Sequence, residues 1–397
     1  MNLFRYVSAI ALFVCLGACS VMPTSGPLSL DVQRGQKDPD GLPYAFVPLT
    51  PTVAEIMSRN SQRIGAVYPD RQPPKEIRLG VGDIVSVTIF EAAAGGLFIP
   101  SEAGVRPGNF IALPNQAIDS NGNVSVPYAG LIPAKGRTPA EVQRAIVDAL
   151  KNRAIDPQVV VAVIEQRTSL ISVLGEVNTP ARFPASAAGE HLLDAITRAG
   201  GPKGQGFDTW VMLERGGRKA DVPFGALVYD PSNNVYVHPY DTIYVYRQPQ
   251  TFVAFGATGQ QGQFNFEAWS LSLAEGVGKA GGLNDTLADP ASVFLYRGET
   301  KKVAEELGID VSKYQGPIIP VIYNVNFRDP SGYFLATTFQ LRNKDVLYVS
   351  NATTVEVAKA MQFFRLTVAT VNDPIVAATN SYVLKSAING SASFVVQ

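Results

Sequence analysis

Reactive side chains are scarce in this sequence, which holds two cysteines and two histidines among 397 residues. Cys15 lies in an apolar run at the N-terminus and Cys19 just past it. Loss of that run leaves a single thiol and allows no disulfide within a monomer. His191 and His238 each lack a second ligand at metal-binding spacing. There is no Gly-x-Ser-x-Gly elbow and no Gly-x-x-x-x-Gly-Lys-Ser/Thr phosphate loop. The glycine-dense stretch 200–206 follows a helical pattern, the wrong context for a dinucleotide fingerprint. Asp83, Asp119 and Glu141 sit where turns and caps favour carboxylates. These absences argue against an enzyme and against a metal or organic cofactor. Charge of one sign is missing too: 33 Lys+Arg face 34 Asp+Glu, for a net charge of -1. That balance disfavours nucleic acid or anionic lipid as a partner.

The N-terminus carries the clearest signal. Residues 1–6 hold one positive charge, on Arg5, residues 7–14 are almost wholly apolar, and Leu16-Gly17-Ala18-Cys19 follow. This is the layout of a bacterial secretory signal, too short to span a bilayer durably. A cysteine directly after small residues resembles the lipobox of bacterial lipoproteins, where the signal is cut before the cysteine and the cysteine is acylated. Residues 1–18 are therefore expected to be a signal peptide and Cys19 a lipid anchor. The alternative is a soluble secreted protein in which Cys19 is incidental.

Hydrophobic content of 46% is ample for packed cores, and the length suggests two or three domains. The 35 glycines and 28 prolines, set among short runs rich in Val, Ile and Tyr, favour small β-rich domains. Residues 20–41 read as a polar tether, 44–47 as a short strand, and 53–57 as a brief helix with Thr52 as N-cap. Residues 69–75 form a proline-rich linker. Beyond it, Leu79-Gly80-Val81-Gly82-Asp83 makes a turn before a strand over 84–90, and 92–115 read as a long loop. Asp119-Ser120-Asn121-Gly122 is a hairpin turn between Ile118 and 123–126. Thr138-Pro139-Ala140-Glu141 places Thr at N-cap, Pro at N1 and Glu at N3 of a helix. Its apolar positions are Val142, Ala145, Ile146, Ala149 and Leu150. A strand over 159–164 completes a compact α+β domain.

An internal repeat follows. The segment 171–177 matches 252–258, and Leu192-Leu193-Asp194-Ala195-Ile196 with Gly200-Gly201 matches Leu273-Ala274-Glu275-Gly276-Val277 with Gly281-Gly282. Each helix stops at a glycine pair. The strand 210–213 corresponds to 293–296, and 241–245 to 345–349. Tyr229, Tyr236, Tyr240, Tyr244 and Tyr246 cluster at the end of the first copy. Aromatic faces can stack on sugar rings, and half-buried strand packing explains them as well.

From 352 the pattern changes. Val357, Met361, Phe364, Val368, Val371 and Ile375 recur at spacings of four and three, with Asn351 as N-cap. Glu356, Lys359, Gln362 and Thr370 fall towards the opposite face. The 22 residues 352–373 would span roughly 33 Å, about the hydrocarbon thickness of a bilayer. An ordinary single-pass span is excluded, since each mid-helix charge costs about 2.5–3.5 kcal/mol against lipid. A ring of such helices would resolve the conflict; packing on the domain itself or on a partner would do so equally.

Several motifs resemble the bacterial outer-membrane polysaccharide export lipoproteins of the Wza type. They are Leu79-Gly80-Val81-Gly82-Asp83, the turn from Asp119 to Gly122, Pro127-Tyr128-Ala129-Gly130, Gly136-Arg137-Thr138-Pro139-Ala140-Glu141 and Asp156-Pro157-Gln158-Val159-Val160-Val161. The opening Cys19-Ser20-Val21-Met22-Pro23-Thr24-Ser25-Gly26-Pro27 is similar to the capsule-export branch served by ABC transporters. The resemblance implies an α+β fold: an export domain, two tandem β-grasp (SLBB-type) modules, and a C-terminal amphipathic transmembrane helix that builds an oligomeric helical barrel. The expected boundaries are 1–18 signal, 19–75 lipidated segment, 76–168 export domain, 169–250 and 251–350 repeats, and 351–397 helix and tail. Glu356, Lys359, Gln362 and Thr370 would then line the pore. Val357, Met361, Phe364, Val368 and Val371 would face lipid. The implied partners are a polysaccharide chain, further copies of the subunit in a ring (an octamer among the candidates), and the outer membrane. An inner-membrane adaptor or co-polymerase would couple the ring to an ABC transporter or polymerase. The expected function is a passive export conduit. Its rival is a periplasmic, lipid-anchored glycan-binding module without a pore.

Overall fold

The computed structural model describes residues 26–35, 41–61, 63–69, 72–73, 76, 78–92, 97–98, 110–186, 188–362 and 365. Cys19, Phe364, Val368, Thr370 and Val371 lie outside them. The chain divides into two compact units. One combines residues up to Asn60 with Gln250–Phe266 and everything from Ser270; the other is Ser61–Pro249 with Glu267–Trp269. The first and last described residues therefore share a unit.

Composition predicts a loose tether over 20–41, and the structure differs. α1 (Ser29–Gly35) buries Val32 against Phe294, Ile322 and Tyr348. The Pro27 carbonyl accepts from the Tyr348 hydroxyl at 2.8 Å and from Ser350 Oγ at 3.3 Å. One valine among polar neighbours leaves no periodic trace, so sequence pattern could not find this docking. β1 (Ala45–Pro48) pairs in parallel with the second repeat, Ala45 beside Val321 and Pro48 beside Asn324. Proline is tolerated there because β1 is an edge strand. α2 (Pro51–Arg59) is capped by Thr50 rather than Thr52: Val53 N donates to Thr50 Oγ1 at 3.3 Å, and Pro51 occupies N1, where no N–H is needed. α3 (Ile64–Val67) belongs to the other unit and buries Ile64 completely.

The α+β body forms around β2 (Ile84–Phe90), whose alternate residues Val85, Val87 and Ile89 are fully buried. β3 (Phe110–Ala112) and β4 (Gln116–Ala117) pair with one edge of β2, so the predicted loop 92–115 contains a short strand. β5 (Asn123–Val126) and β6 (Gly130–Pro133) make a separate hairpin. Ile118 is thus not a ladder partner of β5, although Asp119 N still donates to Asn123 O across the predicted turn. α4 (Pro139–Leu150) carries the predicted capping box, with Glu141 N to Thr138 Oγ1 at 3.2 Å and Thr138 N to Glu141 Oε2 at 2.8 Å. It buries Val142, Ile146 and Leu150, while Ala149 is exposed. β7 (Gln158–Glu165) covers the other edge of β2.

The first repeat contains β8 (Leu170–Gly175), β9 (Ala181–Pro184), α5 (Leu192–Arg198), β10 (Thr209–Arg215), β11 (Arg218–Pro223), α6 (Phe224–Tyr229) and β12 (Thr242–Arg247). The second contains β13 (Thr251–Gly256), β14 (Gly262–Asn265), α7 (Leu273–Lys279), β15 (Ala288–Thr300), α8 (Lys301–Glu306), β16 (Ile318–Val325), α9 (Pro330–Thr338) and β17 (Val346–Asn351). Strand orders are β9-β8-β12-β10-β11 and β14-β13-β17-β15-β16, with β1 added to the free edge of β16. Numbered within each repeat, both read 2-1-5-3-4 with a parallel central pair, the β-grasp arrangement. The register refines the sequence alignment. Leu213 stands opposite Ile243 and Leu295 opposite Leu347, so 211–213 match 293–295, one residue away from the pairing read from sequence. A slip of one would turn every side chain to the other face.

Candidate functional site

Three aspartates close the same turn at three points in the fold. Asp83 precedes β2, Asp241 precedes β12 and Asp345 precedes β17. In each, the carboxylate accepts from the backbone N–H three residues earlier: Gly80 at 2.8 Å, His238 at 2.8 Å and Arg342 at 2.7 Å. The residue before the aspartate is left-handed in every copy, with φ of 93° at Gly82, 72° at Tyr240 and 69° at Lys344. All three aspartates are buried, and they differ in what completes them. Asp241 takes a bidentate fork from Arg215, at 2.9 and 2.7 Å. Asp345 takes one from Arg297, which also donates to Gln340 O. Among the described residues Asp83 has no cation partner, and it accepts instead from Arg167 N at 2.7 Å, Thr168 N at 2.9 Å and the Thr168 hydroxyl. It thereby ties the α+β body to the linker that opens the first repeat. Gly80 permits the approach, because a Cβ there would lie 2.5–2.8 Å from Thr168 side-chain atoms.

The remaining motif residues build the hairpin. Asp119 Oδ1 accepts from Asn121 N and Asn123 N, an Asx turn, and Gly122 is left-handed with the Lys135 side chain against it. Pro127 opens a tight turn in which Ala129 N donates to Val126 O; Tyr128 and Gly130 both have positive φ. A tyrosine at φ 64° is strained. Its ring meets Phe98 edge-on at 5.4 Å, and Arg153 donates to its carbonyl at 2.7 Å. The motif splits into two places: Gly80, Gly82 and Asp83 at the junction with the repeat, and Asp119 to Gly130 on the hairpin.

The C-terminal helix starts at 353, immediately after β17. Asn351 ends that strand and is not the N-cap; its Nδ2 donates to Glu356 Oε1 at 2.8 Å. Lys359 Nζ donates to the same oxygen at 2.8 Å, and this hydrogen bond holds the Glu356 carboxyl below the ordinary glutamate range. Glu356 therefore braces the first turn to β17, and Gln362 is exposed. Val357 and Met361 are 55% and 69% exposed, large apolar side chains turned outward. No helix among the described residues is long and apolar enough to cross a membrane.

Comparison with known proteins identifies the family. Residues 71–164 match the model for polysaccharide biosynthesis/export proteins, and 169–245 and 250–349 match the SLBB domain. The chain belongs to the polysaccharide biosynthesis/export protein family. It is 32% identical to the capsule polysaccharide export outer membrane protein CtrA of Neisseria meningitidis serogroup B, over 95% of this chain and 97% of that protein. It is 30% identical to the capsule polysaccharide export protein BexD of Haemophilus influenzae, over 93% and 96%. The Vi polysaccharide export protein VexA/TviF of Salmonella typhi is 27% identical over 72% and 77%.

In this polysaccharide export family member the tyrosine cluster is not one platform. Tyr236 stacks on His191 at 4.0 Å, Tyr244 on Tyr246 at 5.7 Å, and Tyr229 on Trp269 at 5.8 Å, while Tyr240 is 74% exposed. Tyr246 also donates to Asp221, and burial raises its phenol well above the usual value. Sequence reasoning missed the Arg215 and Arg297 forks. The structural register aligns Leu213 with Leu295, each two residues before its arginine, and the one-residue offset of the sequence alignment hid that match.

Proposed function

We propose that the chain is a lipid-anchored subunit of an outer-membrane ring through which capsular polysaccharide or exopolysaccharide leaves the periplasm. The observation that carries this reading is that Pro27 and the start of the helix at 353 lie at one end of the second repeat. Pro27, held by Tyr348 and Ser350, lies eight residues from Cys19, a span of at most about 29 Å. Two residues beyond Asn351 the helix that exposes Val357 and Met361 begins. Acyl chains on Cys19 and the helix from 353 onward then enter the same bilayer. Ringed copies turn Val357, Met361, Phe364, Val368 and Val371 to lipid, and Gln362 and Thr370, with the Glu356–Lys359 pair at the mouth, to a wet lumen. A moving polymer requires contacts that are many and weak. The chain has no phosphate loop, so the driving energy belongs to an inner-membrane transporter or polymerase reached through an adaptor.

Replacing Glu356, Lys359 and Gln362 together with leucine is expected to abolish surface polysaccharide while acylation and membrane fractionation persist. Normal export by that triple variant, or by a chain ending at Asn351, overturns the conduit and leaves a glycan-binding lipoprotein.

A further inference from the structure

The sheet of the second repeat has one end where β15 starts, β16 stops and β17 stops. Helix 353–362 leaves from it: Ala288 stands opposite Asn351, and Ala352 N donates to Leu287 O at 2.8 Å. α9 starts at the same end. Phe327 N donates to Pro290 O at 2.7 Å, Arg328 pairs with Asp289 at 3.0 Å, and Asp329 caps the helix through Ser331 N. Tyr333 then meets Phe327 edge-on at 5.0 Å. α9 buries Gly332 and Ala336 and turns Tyr333 and Phe334 outward, 56% and 76% exposed, beside Thr337 and Thr338. That outer face carries no charge. The other named helices of this unit, α1, α2, α7 and α8, all expose acidic or basic side chains.

We propose that Tyr333 and Phe334 form a foot seated among the lipid headgroups of the bilayer that helix 353–362 enters, so that the second repeat rests on the membrane surface. This rests on the outer-membrane reading above. Aromatic side chains favour the membrane–water boundary, where the ring leaves water and a tyrosine hydroxyl stays wet. Lipid is the occupant that the geometry favours, because the patch shares its end of the sheet with the helix exit and with Pro27, itself within reach of the Cys19 anchor. Arg328, 69% exposed beside the patch, is placed to meet a headgroup phosphate.

The test uses the acylated full-length protein in phosphatidylcholine–phosphatidylglycerol vesicles. An environment-sensitive fluorophore is attached at Phe334→Cys, Thr337→Cys, Lys302→Cys or Met361→Cys, one at a time. Quenchers sit on the lipid headgroup or deep in the acyl chain. Phe334→Cys is expected to be quenched several-fold by the headgroup probe and Met361→Cys by the chain probe, with Lys302→Cys unaffected. Thr337→Cys, one turn further from the helix exit, is expected to be quenched less than Phe334→Cys. Quenching at Met361→Cys without any at Phe334→Cys overturns the foot and leaves the conduit standing. Quenching at Phe334→Cys alone retains the foot and removes the membrane-crossing helix. Quenching at neither site removes both.

Discussion

The two repeats offer a controlled comparison of a buried ion pair. Asp345→Ala strips the counter-ion from Arg297, whose side chain is 4% exposed; Asp241→Ala does the same to Arg215, which is 18% exposed. Both changes also remove the acceptor for one turn N–H, so that loss cancels in the comparison. Leaving a buried charge without its partner costs about 3–5 kcal/mol. Glu299, 3.8 Å from Arg297, keeps partial compensation and places the second repeat at the low end, about 3 kcal/mol. Both arginines lie over an aromatic ring, Arg215 over Tyr68 at 5.1 Å and Arg297 over Phe339 at 5.0 Å, but the more exposed Arg215 can recruit water, so its loss is that of a charged hydrogen bond, about 1.5–2 kcal/mol. Hydrogen exchange of the detergent-solubilised protein reads each repeat separately. Asp345→Ala is expected to speed exchange across β15 and β17 by about two orders of magnitude. Asp241→Ala should speed β10 and β12 by about tenfold to thirtyfold. Equal effects, or a larger one in the first repeat, would refute the argument that burial sets the cost.

Three further outcomes are expected. Gly175→Ala and Gly256→Ala put a Cβ 2.0 and 2.1 Å from the carbonyls of Val245 and Val349, at φ of 92° and 80°. Each should lose more than the about 1–2 kcal/mol of left-handed strain that Gly82→Ala pays in open space; denaturant midpoints of the three variants rank them. Glu356 titrates below its ordinary value, so its stabilisation is present above the unfolded pKa and is lost as pH falls through the folded one. Limited proteolysis near 353–362 should therefore rise in acid, and Glu356→Gln should flatten that dependence. Burial pushes the Tyr348 phenol up to about 12, so it remains a neutral donor to Pro27 at all ordinary pH. Tyr348→Phe removes the bond at a cost of about 1 kcal/mol and should expose residues 26–35 to proteases.

Local signals were legible in the sequence where the chain itself makes the partner. The capping box of α4, the glycine pairs after α5 and α7, and the Asp119 turn are closed by residues two to five apart, so composition and spacing specify them. The repeat was legible for the same reason, its order of motifs being preserved twice. Partners far apart in sequence were not. Val32 packs on residues about 260–320 positions later, Asn351 bonds forward to a helix instead of capping it, and the repeat register slipped by one because flanking apolar residues look alike until a partner strand picks the face.

The sequence by itself determined an exported-looking N-terminus, a turn-rich α+β body, a duplicated module and an amphipathic C-terminal stripe, because each rests on periodicity or short-range chemistry. Only the tertiary structure decided which unit each part joins. It returned residues 26–35 and 41–60 to the unit of the second repeat and completed that sheet with β1. It brought Pro27 against Ser350 beside the helix start, and it left Tyr333, Phe334, Val357 and Met361 uncovered. Those outcomes depend on which surfaces remain to be buried once both sheets have formed, and no local stretch of sequence carries that information.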